Sequence, residues 1–478
     1  MKKTKIICTM GPTTSDREVV KHLAEIGMDI ARFNFSHGSH AEQKERMDML
    51  KSIREELGKP IAILLDTKGP EIRTGLLKGG QKVTLEEGQL FSLTTEEIEG
   101  DNQRVSITYD GLAEDVEVGK RILIDDGLIE LEVKNIVDTE IICQVLNGGD
   151  LGQRKGVNVP NVPVRLPALT QKDREDIKFG VEQGVDFIAA SFVRSAEGIL
   201  EIKALLKECN APYIPIIAKI ENGEGIKNID EILHCADGIM VARGDLGVEI
   251  PAQELPYLQK WLIKKCNDAY KPVITATQML DSMMRNPRPT RAEVTDVANA
   301  VFDGTDAVML SGETANGKYP EVALSMMVEI VKNAEAHIDH EDIRLKLQEH
   351  RRKSISSAIG YSTVATAMNI GAKAIITPTA SGATARVVSK FKPEAVIVGV
   401  TPNDDALRRM QIFRGVYPIK SIPYNTTEEI CDDAINLAKV KGFVEAGDIV
   451  VLTAGIPSPH VKKSREGMSN MMQISVIS

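Results

Sequence analysis

Ile214-Pro215-Ile216-Ile217-Ala218-Lys219-Ile220-Glu221 and, one helix further on, Gly238-Ile239-Met240-Val241-Ala242-Arg243-Gly244-Asp245 are the stretches that orient the whole chain. Each opens with a short, continuous apolar run, the signature of a strand buried on both faces in a parallel sheet. Each then ends in charge. Side chains two apart along a strand share a face, so Lys219 and Glu221 point the same way. Neighbouring parallel strands of this kind deliver charge to one edge of a sheet. Two carboxylates there suit a hard divalent ion, and the adjacent lysine can neutralise a phosphoryl group or an enolate. A pair of ion-paired strand ends is the plainer alternative.

Apolar runs of the same kind occupy 5–9, 30–35 and 61–66 in one block, and 187–191, 214–219, 238–242, 273–276 and 307–310 in another. Amphipathic stretches between them, such as 16–26, 41–57 and 173–183, read as helices. Eight strands alternating with helices predict a (β/α)8 barrel. Blocks 1–69 and 168–345 together approach the ~250 residues typical of that fold. Nearly every strand ends in polar residues: Arg32 and Asn34, Asp66 and Thr67, Ser191, Lys219 and Glu221, Asp245, Thr277 and Gln278, Ser311 and Glu313. Barrel enzymes build their sites at that end.

Residues 70–167 interrupt the barrel after its third strand. They carry short β-type runs at 81–85, 121–124 and 130–133, punctuated by Gly79-Gly80, Asp126-Gly127 and Gly148-Gly149. A small inserted β-barrel domain is expected, hinged at Gly69-Pro70 and Leu166-Pro167, which closes as a lid or stands as a rigid appendage. After a charged helix at 341–353, residues 346–478 form a third unit. Strand candidates 374–377, 395–400, 416–420, 448–453 and 472–477 alternate there with helical stretches, implying a C-terminal open α/β domain.

Composition narrows the function classes. With 478 residues the chain exceeds one ordinary core, so two to four domains are expected. A net charge of −10 and an aromatic content of 4% argue against a nucleic-acid binder or an anionic-membrane binder. No apolar stretch approaches the ~20 residues that span a bilayer. Met1-Lys2-Lys3 is not followed by an export-type hydrophobic region, so a cytoplasmic protein is expected. Cys8, Cys143, Cys209, Cys235, Cys266 and Cys431 are scattered without a CxxC, which suggests buried, reduced thiols. There is no GxxxxGK[ST], and Gly223-Glu224-Gly225 lacks the third glycine of a dinucleotide fingerprint.

An ordered set of motifs runs through the chain, beginning with Lys5-Ile6-Ile7-Cys8-Thr9-Met10-Gly11-Pro12, Ala31-Arg32-Phe33-Asn34-Phe35-Ser36-His37-Gly38 and Leu65-Asp66-Thr67-Lys68-Gly69-Pro70-Glu71-Ile72-Arg73. It continues through Lys155-Gly156-Val157-Asn158, Lys219-Ile220-Glu221-Asn222 and Met240-Val241-Ala242-Arg243-Gly244-Asp245. Ala276-Thr277-Gln278-Met279, Pro287-Arg288-Pro289-Thr290-Arg291 and Leu310-Ser311-Gly312-Glu313-Thr314 complete the set. In these motifs and their order, over essentially its whole length, the chain resembles the pyruvate kinase family.

The resemblance implies phosphoryl transfer from phosphoenolpyruvate to ADP, giving pyruvate and ATP as the final step of glycolysis. By that analogy Glu221 and Asp245 hold Mg2+ (or Mn2+), Lys219 faces the developing enolate charge, and Arg32 clamps the phosphoryl group, for which a planar fork suits better than a lysine. The Gly244 backbone approaches the substrate carboxylate, while Thr277, Ser311 and Glu313 belong to the proton-delivery network. Asn34, Ser36, Asp66 and Thr67 match the family's K+ site, and an anionic Glu71 leaves positive charge there to be supplied by the ion. Arg73 and Lys155 resemble nucleotide-phosphate contacts, with Asn34 and His37 nearby; for His37 a structural role at a turn stays equally open.

In the third domain, Thr379-Ala380-Ser381-Gly382-Ala383-Thr384 opens a helix and resembles the family's effector loop, with an ordinary helix cap by Ser381 or Thr384 as the alternative. Lys462, Lys463 and Arg465 offer a second phosphate grip or a solvated loop, so a sugar bisphosphate, a sugar monophosphate and AMP all stay open as effectors. The further phosphate-carrier-like domain of some bacterial homologues is expected to be missing, and a homotetramer is expected. Another phosphoenolpyruvate-handling barrel enzyme and a catalytically dead sugar-phosphate sensor are the competing readings. Arg73 and Lys155 on the insertion disfavour the first, and the intact Lys219, Glu221, Asp245 and Thr277 disfavour the second.

Overall fold

The structure, a computed structural model, describes residues 1–340, 354–423, 426–455 and 469–478. Strands β1 (Lys5–Met10), β2 (Ile30–Asn34) and β3 (Ala62–Asp66) come first. The insertion holds β4 (Ile72–Arg73), β5 (Val83–Leu85), β6 (Leu90–Thr94), β7 (Arg104–Ser106), β8 (Arg121–Ile124), β9 (Ile129–Val137), β10 (Glu140–Asn147), β11 (Gly149–Leu151) and β12 (Gly156–Asn158). Strands β13 (Phe187–Ala190), β14 (Ile216–Ile220), β15 (Gly238–Ala242), β16 (Val273–Ala276) and β17 (Ala307–Leu310) resume the first pattern, and β18 (Ala374–Pro378), β19 (Val396–Thr401), β20 (Val416–Lys420), β21 (Ile449–Ala454) and β22 (Met471–Val476) end the chain.

The expected barrel is present: β1, β17, β16, β15, β14, β13, β3 and β2 close in that order. Each of the eight is buried almost throughout, which is why these strands read as apolar runs rather than alternating ones. The strand 214–219 begins two residues later than expected, at Ile216. By internal contacts the chain forms two compact units, one made of Met1–Leu65, Glu182–Ile188 and Lys260–Ser478, the other of Asp66–Val181 and Ala189–Gln259.

A repeated device starts the barrel strands. Asp29, Asp186, Asp237 and Asp306 each stand immediately before one of them. Their carboxylates accept the backbone N–H groups of Ile6 (2.7 Å), Ile63 (2.8 Å), Ile216 (3.0 Å) and Val273 (2.9 Å). An N–H at the start of a buried strand has no ladder partner on that side, so a carboxylate supplies one.

Within the first unit, three of these aspartates also take a cation. Lys2 pairs with Asp29 and Lys390 with Asp306, while Arg408 Nε lies 2.6 Å from Asp186. Lys5, fully buried, donates to the Val416 carbonyl at 2.5 Å, and burial pushes its ammonium down to about 8. The C-terminal sheet has the order β20-β19-β18-β21-β22, parallel except for β22. The open α/β sheet was expected. The charged helix at 341–353 and the loop bearing Lys462, Lys463 and Arg465 lie outside the described residues.

In the second unit the insertion forms a seven-stranded sheet, β4-β12-β8-β9-β10-β6-β7, with β11 and β5 as a separate pair. A bridge between Thr74 and Ile107 joins its two edges, so the sheet curls toward closure as a small barrel. In β9 and β10 buried and half-buried residues alternate, and the buried set packs around Phe91, Leu131 and Ile141.

Candidate active site

In the second unit, the ends of consecutive strands bring together most of the residues singled out first. Asp66 ends β3, Ser191 follows β13, and Lys219 lies near the end of β14 with Glu221 just beyond it. Asp245 is in the first turn of the helix Arg243–Glu249, which follows β15 directly. Lys219 Nζ lies 2.9 Å from Glu221 Oε1 and 3.1 Å from Asp66 Oδ1, and donates to Ser191 Oγ at 2.7 Å. The Phe192 N–H donates to the other Glu221 oxygen at 2.5 Å. Asp66 and Glu221 are 0% and 1% exposed.

The ion pair foreseen as the plainer alternative does exist, but it does not balance the charge. Burial pushes the Glu221 carboxyl up to about 7; Lys219 opposes the shift and the Asp245 carboxylate adds to it. Asp245 is raised as well, chiefly by burial, with Asp126 and Glu71 contributing. The Lys219 ammonium lies against Asp66 and Glu221, and its charge also acts on Asp245. Buried carboxyl groups gathered in this way fit a cation.

Among the described residues, no three His, Cys, Asp or Glu side chains form a cage for a metal ion. Two carboxylates with room for substrate oxygens and water is nonetheless how Mg2+ is ordinarily held. The Asp66 carboxylate and Thr67 carbonyl are likewise hard oxygen donors suited to an alkali ion.

Backbone strain sits beside these groups. Phe192 has φ 54°, an outlier for a bulky side chain, and this turn aims its N–H at Glu221. Gly69 has φ +74°, and a Cβ there would lie 2.8 Å from Ser191 Cβ. Only glycine permits that approach.

A cavity of about 530 Å3 opens next to this cluster, lined among others by Arg73, Lys155, Asn158, Arg194, Asp245 and Glu249. The two expected nucleotide contacts thus share one cavity with Asp245. Lys155 Nζ is 2.9 Å from Asp125, and Arg73 Nε is 2.6 Å from Glu71. Glu71, where the resemblance leaves positive charge to be supplied by K+, thus has the Arg73 guanidinium beside it. Asn158 Nδ2 donates to Glu249 Oε1 at 2.8 Å, tying β12 of the insertion to the helix that carries Asp245.

The first unit holds the remaining candidates. Arg32, 8% exposed, donates through Nη1 to Thr9 Oγ1 at 3.0 Å. The Asn34 amide oxygen accepts the Ser36 N–H at 3.0 Å. His37 is exposed and its carbonyl accepts from Gln43 at 2.9 Å, so its backbone rather than its ring serves the turn. Thr277 and Gln278 are consecutive residues with φ 69° and 53°. For a β-branched residue this is costly, and such strain clusters at functional sites. Glu313 is buried, its carboxyl raised by burial, and it accepts the Leu280 and Ser311 N–H groups at 3.0 and 2.7 Å. It holds the turn after β17 in place. The Ser311 hydroxyl is buried without a hydrogen-bond partner.

At the C-terminal loop, Gly382 is the residue before the helix Ala383–Lys390 and has φ 83°; no side chain caps that helix. Thr379 Oγ1 accepts the Gly382 N–H at 3.0 Å, Ser381 is exposed, and the buried Thr384 hydroxyl is bonded to Ser469. The ordinary cap by Ser381 or Thr384 is thus not what is found.

Sequence reasoning gave no role to Ser191, Phe192 or the Asn158–Glu249 pair. Ser191 at a strand end was the visible signal; the strained turn at Phe192 and the contact between Asn158 and Glu249 depend on three-dimensional placement.

Comparison with known proteins bears on the whole chain. Residues 1–324 match the family model described as "Pyruvate kinase, barrel domain", and residues 357–475 match "Pyruvate kinase, alpha/beta domain". The chain is 52% identical over 480 residues to a pyruvate kinase of Geobacillus stearothermophilus, covering 100% of this chain and 81% of the relative. It is 51% identical over 479 residues to one of Bacillus licheniformis and 49% identical over 479 residues to one of Sporosarcina psychrophila, with the same coverage. Among the described residues no helix is long and apolar enough to cross a membrane. A barrel whose strand ends converge on Lys219 and its carboxylates, matched along its full length at this identity, belongs to the pyruvate kinase family.

Proposed function

We propose that the chain transfers the phosphoryl group of phosphoenolpyruvate to ADP in the cytoplasm, with Mg2+ (or Mn2+) and K+ as its ions. The observation that carries this reading is Lys219, held within 3.1 Å of both Asp66 and Glu221 beside a cavity shared by Asp245, Arg73 and Lys155. A divalent ion bound by Glu221 and Asp245 supplies positive charge to the phosphate and carboxylate of the substrate. Lys219 presents its ammonium to the oxygen on which enolate charge develops, where a fixed cation lowers the barrier more than it tightens ground-state binding. The amide at Gly244, in the first turn of its helix, receives the substrate carboxylate. Arg73 and Lys155 receive the nucleotide phosphates.

For the first unit the roles rest on the family resemblance. Arg32 clamps the phosphoryl group, and Thr277, with Ser311 and Glu313, serves proton delivery to the enolate. Asn34 and Ser36 join Asp66 and Thr67 as K+ ligands, and His37 and Asn34 contact the nucleotide. A phosphorylated metabolite, received by Thr379, Ser381, Gly382 and Thr384, activates a homotetramer. The domain limits 1–69 and 168–345 for the barrel, 70–167 for the insertion and 346–478 for the C-terminal domain belong to the same reading.

The test is pyruvate formation from phosphoenolpyruvate with ADP, the divalent ion and K+ each omitted in turn. Dependence on all three is expected. Pyruvate released equally fast without ADP would identify a phosphatase or lyase instead.

A further inference from the structure

We propose that Asn158 and Glu249 are positioning residues that fix a ribbon of the insertion, the one bearing Arg73 and Lys155, over the helix that carries Asp245. This role rests on the reading of Arg73 and Lys155 as contacts to the nucleotide phosphates and of Asp245 as a ligand of the divalent ion. Phosphoryl transfer needs the reacting atoms in near-attack geometry, and a misplacement of about 1 Å can cost ~10²-fold. The groups for the nucleotide and those for the other substrate come from separate parts of the chain. A bond that sets their spacing therefore bears on the rate.

β4 and β12 pair antiparallel, with Arg73 opposite Gly156 and Ile72 opposite Val157. Residues directly opposite one another, or two apart along a strand, share a face, so Arg73 and Asn158 project from the same side of this ribbon. The ribbon is also tied within itself. The Thr74 N–H donates to the Lys155 carbonyl at 2.8 Å, and the Lys155 N–H donates to Thr74 Oγ1 at 2.9 Å. Arg73 Nη1 donates to the Arg154 carbonyl at 2.9 Å. Arg73, Lys155 and Asn158 are thus held as one piece.

On the helix Arg243–Glu249, Asp245 and Glu249 are four apart and lie one turn from each other on one face. Arg73, Lys155, Asn158, Asp245 and Glu249 all line the same cavity. Asn158 Nδ2 donates to Glu249 Oε1 at 2.8 Å and so joins ribbon to helix. Gly127, in the turn before β9, passes the same helix: a Cβ there would lie 3.9 Å from Val248 Cγ1. Burial raises the Glu249 carboxyl, and the Asn158 hydrogen bond works against that rise. A hydrogen bond to a carboxylate that water reaches poorly is a strong one. Without it the ribbon loses its tie to the helix, while Lys219, Glu221 and Asp245 keep their own supports. Use of ADP then suffers and binding of phosphoenolpyruvate does not.

Four variants are compared with wild type. Asn158→Leu removes the donor without adding charge, and Asn158→Asp sets two carboxylates face to face. Asn158→Asp combined with Glu249→Gln reverses the bond, with the amide now on the helix. Lys155→Ala tests the nucleotide reading by itself. The measurements are kcat/KM for ADP, phosphoenolpyruvate affinity by calorimetry with Mg2+ and K+ but no ADP, and thermal melts, from which rates are referred to folded protein. Asn158→Leu should lower kcat/KM for ADP ~10-fold or more, the scale of one hydrogen bond to a charged group. Asn158→Asp should lower it further, and the reversed pair should return to within about threefold of wild type, on the same scale. Phosphoenolpyruvate affinity should stay close to wild type throughout. Wild-type use of ADP by Asn158→Leu overturns the proposal, as does a reversed pair no better than Asn158→Asp alone. Phosphoenolpyruvate affinity falling in step with ADP use would make the pair part of the substrate site and overturn it too. Unchanged ADP use in Lys155→Ala refutes the nucleotide reading, and this role with it, whatever the Asn158 variants do.

Discussion

Replacing Lys219 with methionine keeps the side-chain stem and removes only the ammonium, so it probes the charge at the centre of the cluster. Two consequences can be sized. The first is on stability, because Asp66 and Glu221 are both essentially unexposed and both lose the Lys219 ammonium. Removing one partner of a buried ion pair costs about 3–5 kcal/mol. Glu221 can relieve part of this, since its carboxyl is already raised to about 7 and loses the group that opposes the rise. A carboxylate whose folded pKa is raised destabilises the fold in full above that pKa, and the cost shrinks as pH falls from there toward the unfolded value. The variant should therefore lose the most stability near pH 8 and recover toward pH 6. The second consequence is catalytic. Loss of one preorganised donor to developing negative charge is worth ~10²–10³ in kcat, and a full charge should reach the upper end or beyond. Coupled assays of pyruvate release should show kcat down ~10³-fold with the phosphoenolpyruvate KM within about fivefold, and denaturant melts at both pH values should show the stability pattern. An equal loss in kcat and binding affinity, or a stability loss independent of pH, would refute the reasoning.

Other consequences are open to direct measurement. Divalent-ion binding needs an ionised Glu221, so its apparent affinity should weaken below about pH 7, approaching tenfold per pH unit, with proton release on binding; calorimetry showing pH-independent affinity between 6 and 8 would contradict this. Thr277→Asn places a residue tolerant of positive φ where φ is 69°, so it should stabilise the fold by ~1 kcal/mol in a melt while lowering turnover; a destabilised variant would remove the case for strain. At the barrel floor, Lys390→Met should destabilise by about 3 kcal/mol by stranding Asp306, and the double variant with Asp306→Asn should recover part of it; additive losses in the cycle would show that the two do not act as a pair.

The barrel was legible because its strands are buried on both faces and so appear as uninterrupted apolar runs ending in charge. Lys219 and Glu221 could be placed on one face from spacing alone, and the structure holds them 2.9 Å apart. Other local signals went unread: Asp29, Asp186, Asp237 and Asp306 each precede an apolar run, and that repetition marks where the barrel strands begin. Half of the insertion was harder to see, because short strands such as Arg104–Ser106 and Gly149–Leu151 carry too few residues to show a period.

Residue order alone determined which chemical groups arrive at the strand ends, because alternation along a strand and the parallel direction of the strands leave little choice. Charge balance was decided only in three dimensions. That Asp66 shares the Lys219 ammonium with Glu221, and that the Ser191 hydroxyl meets Asp66 and Thr67, depend on residues more than a hundred positions apart meeting in a low-dielectric interior. Pairing and burial, rather than the identity of any single residue, set how strongly such groups hold one another and their protons.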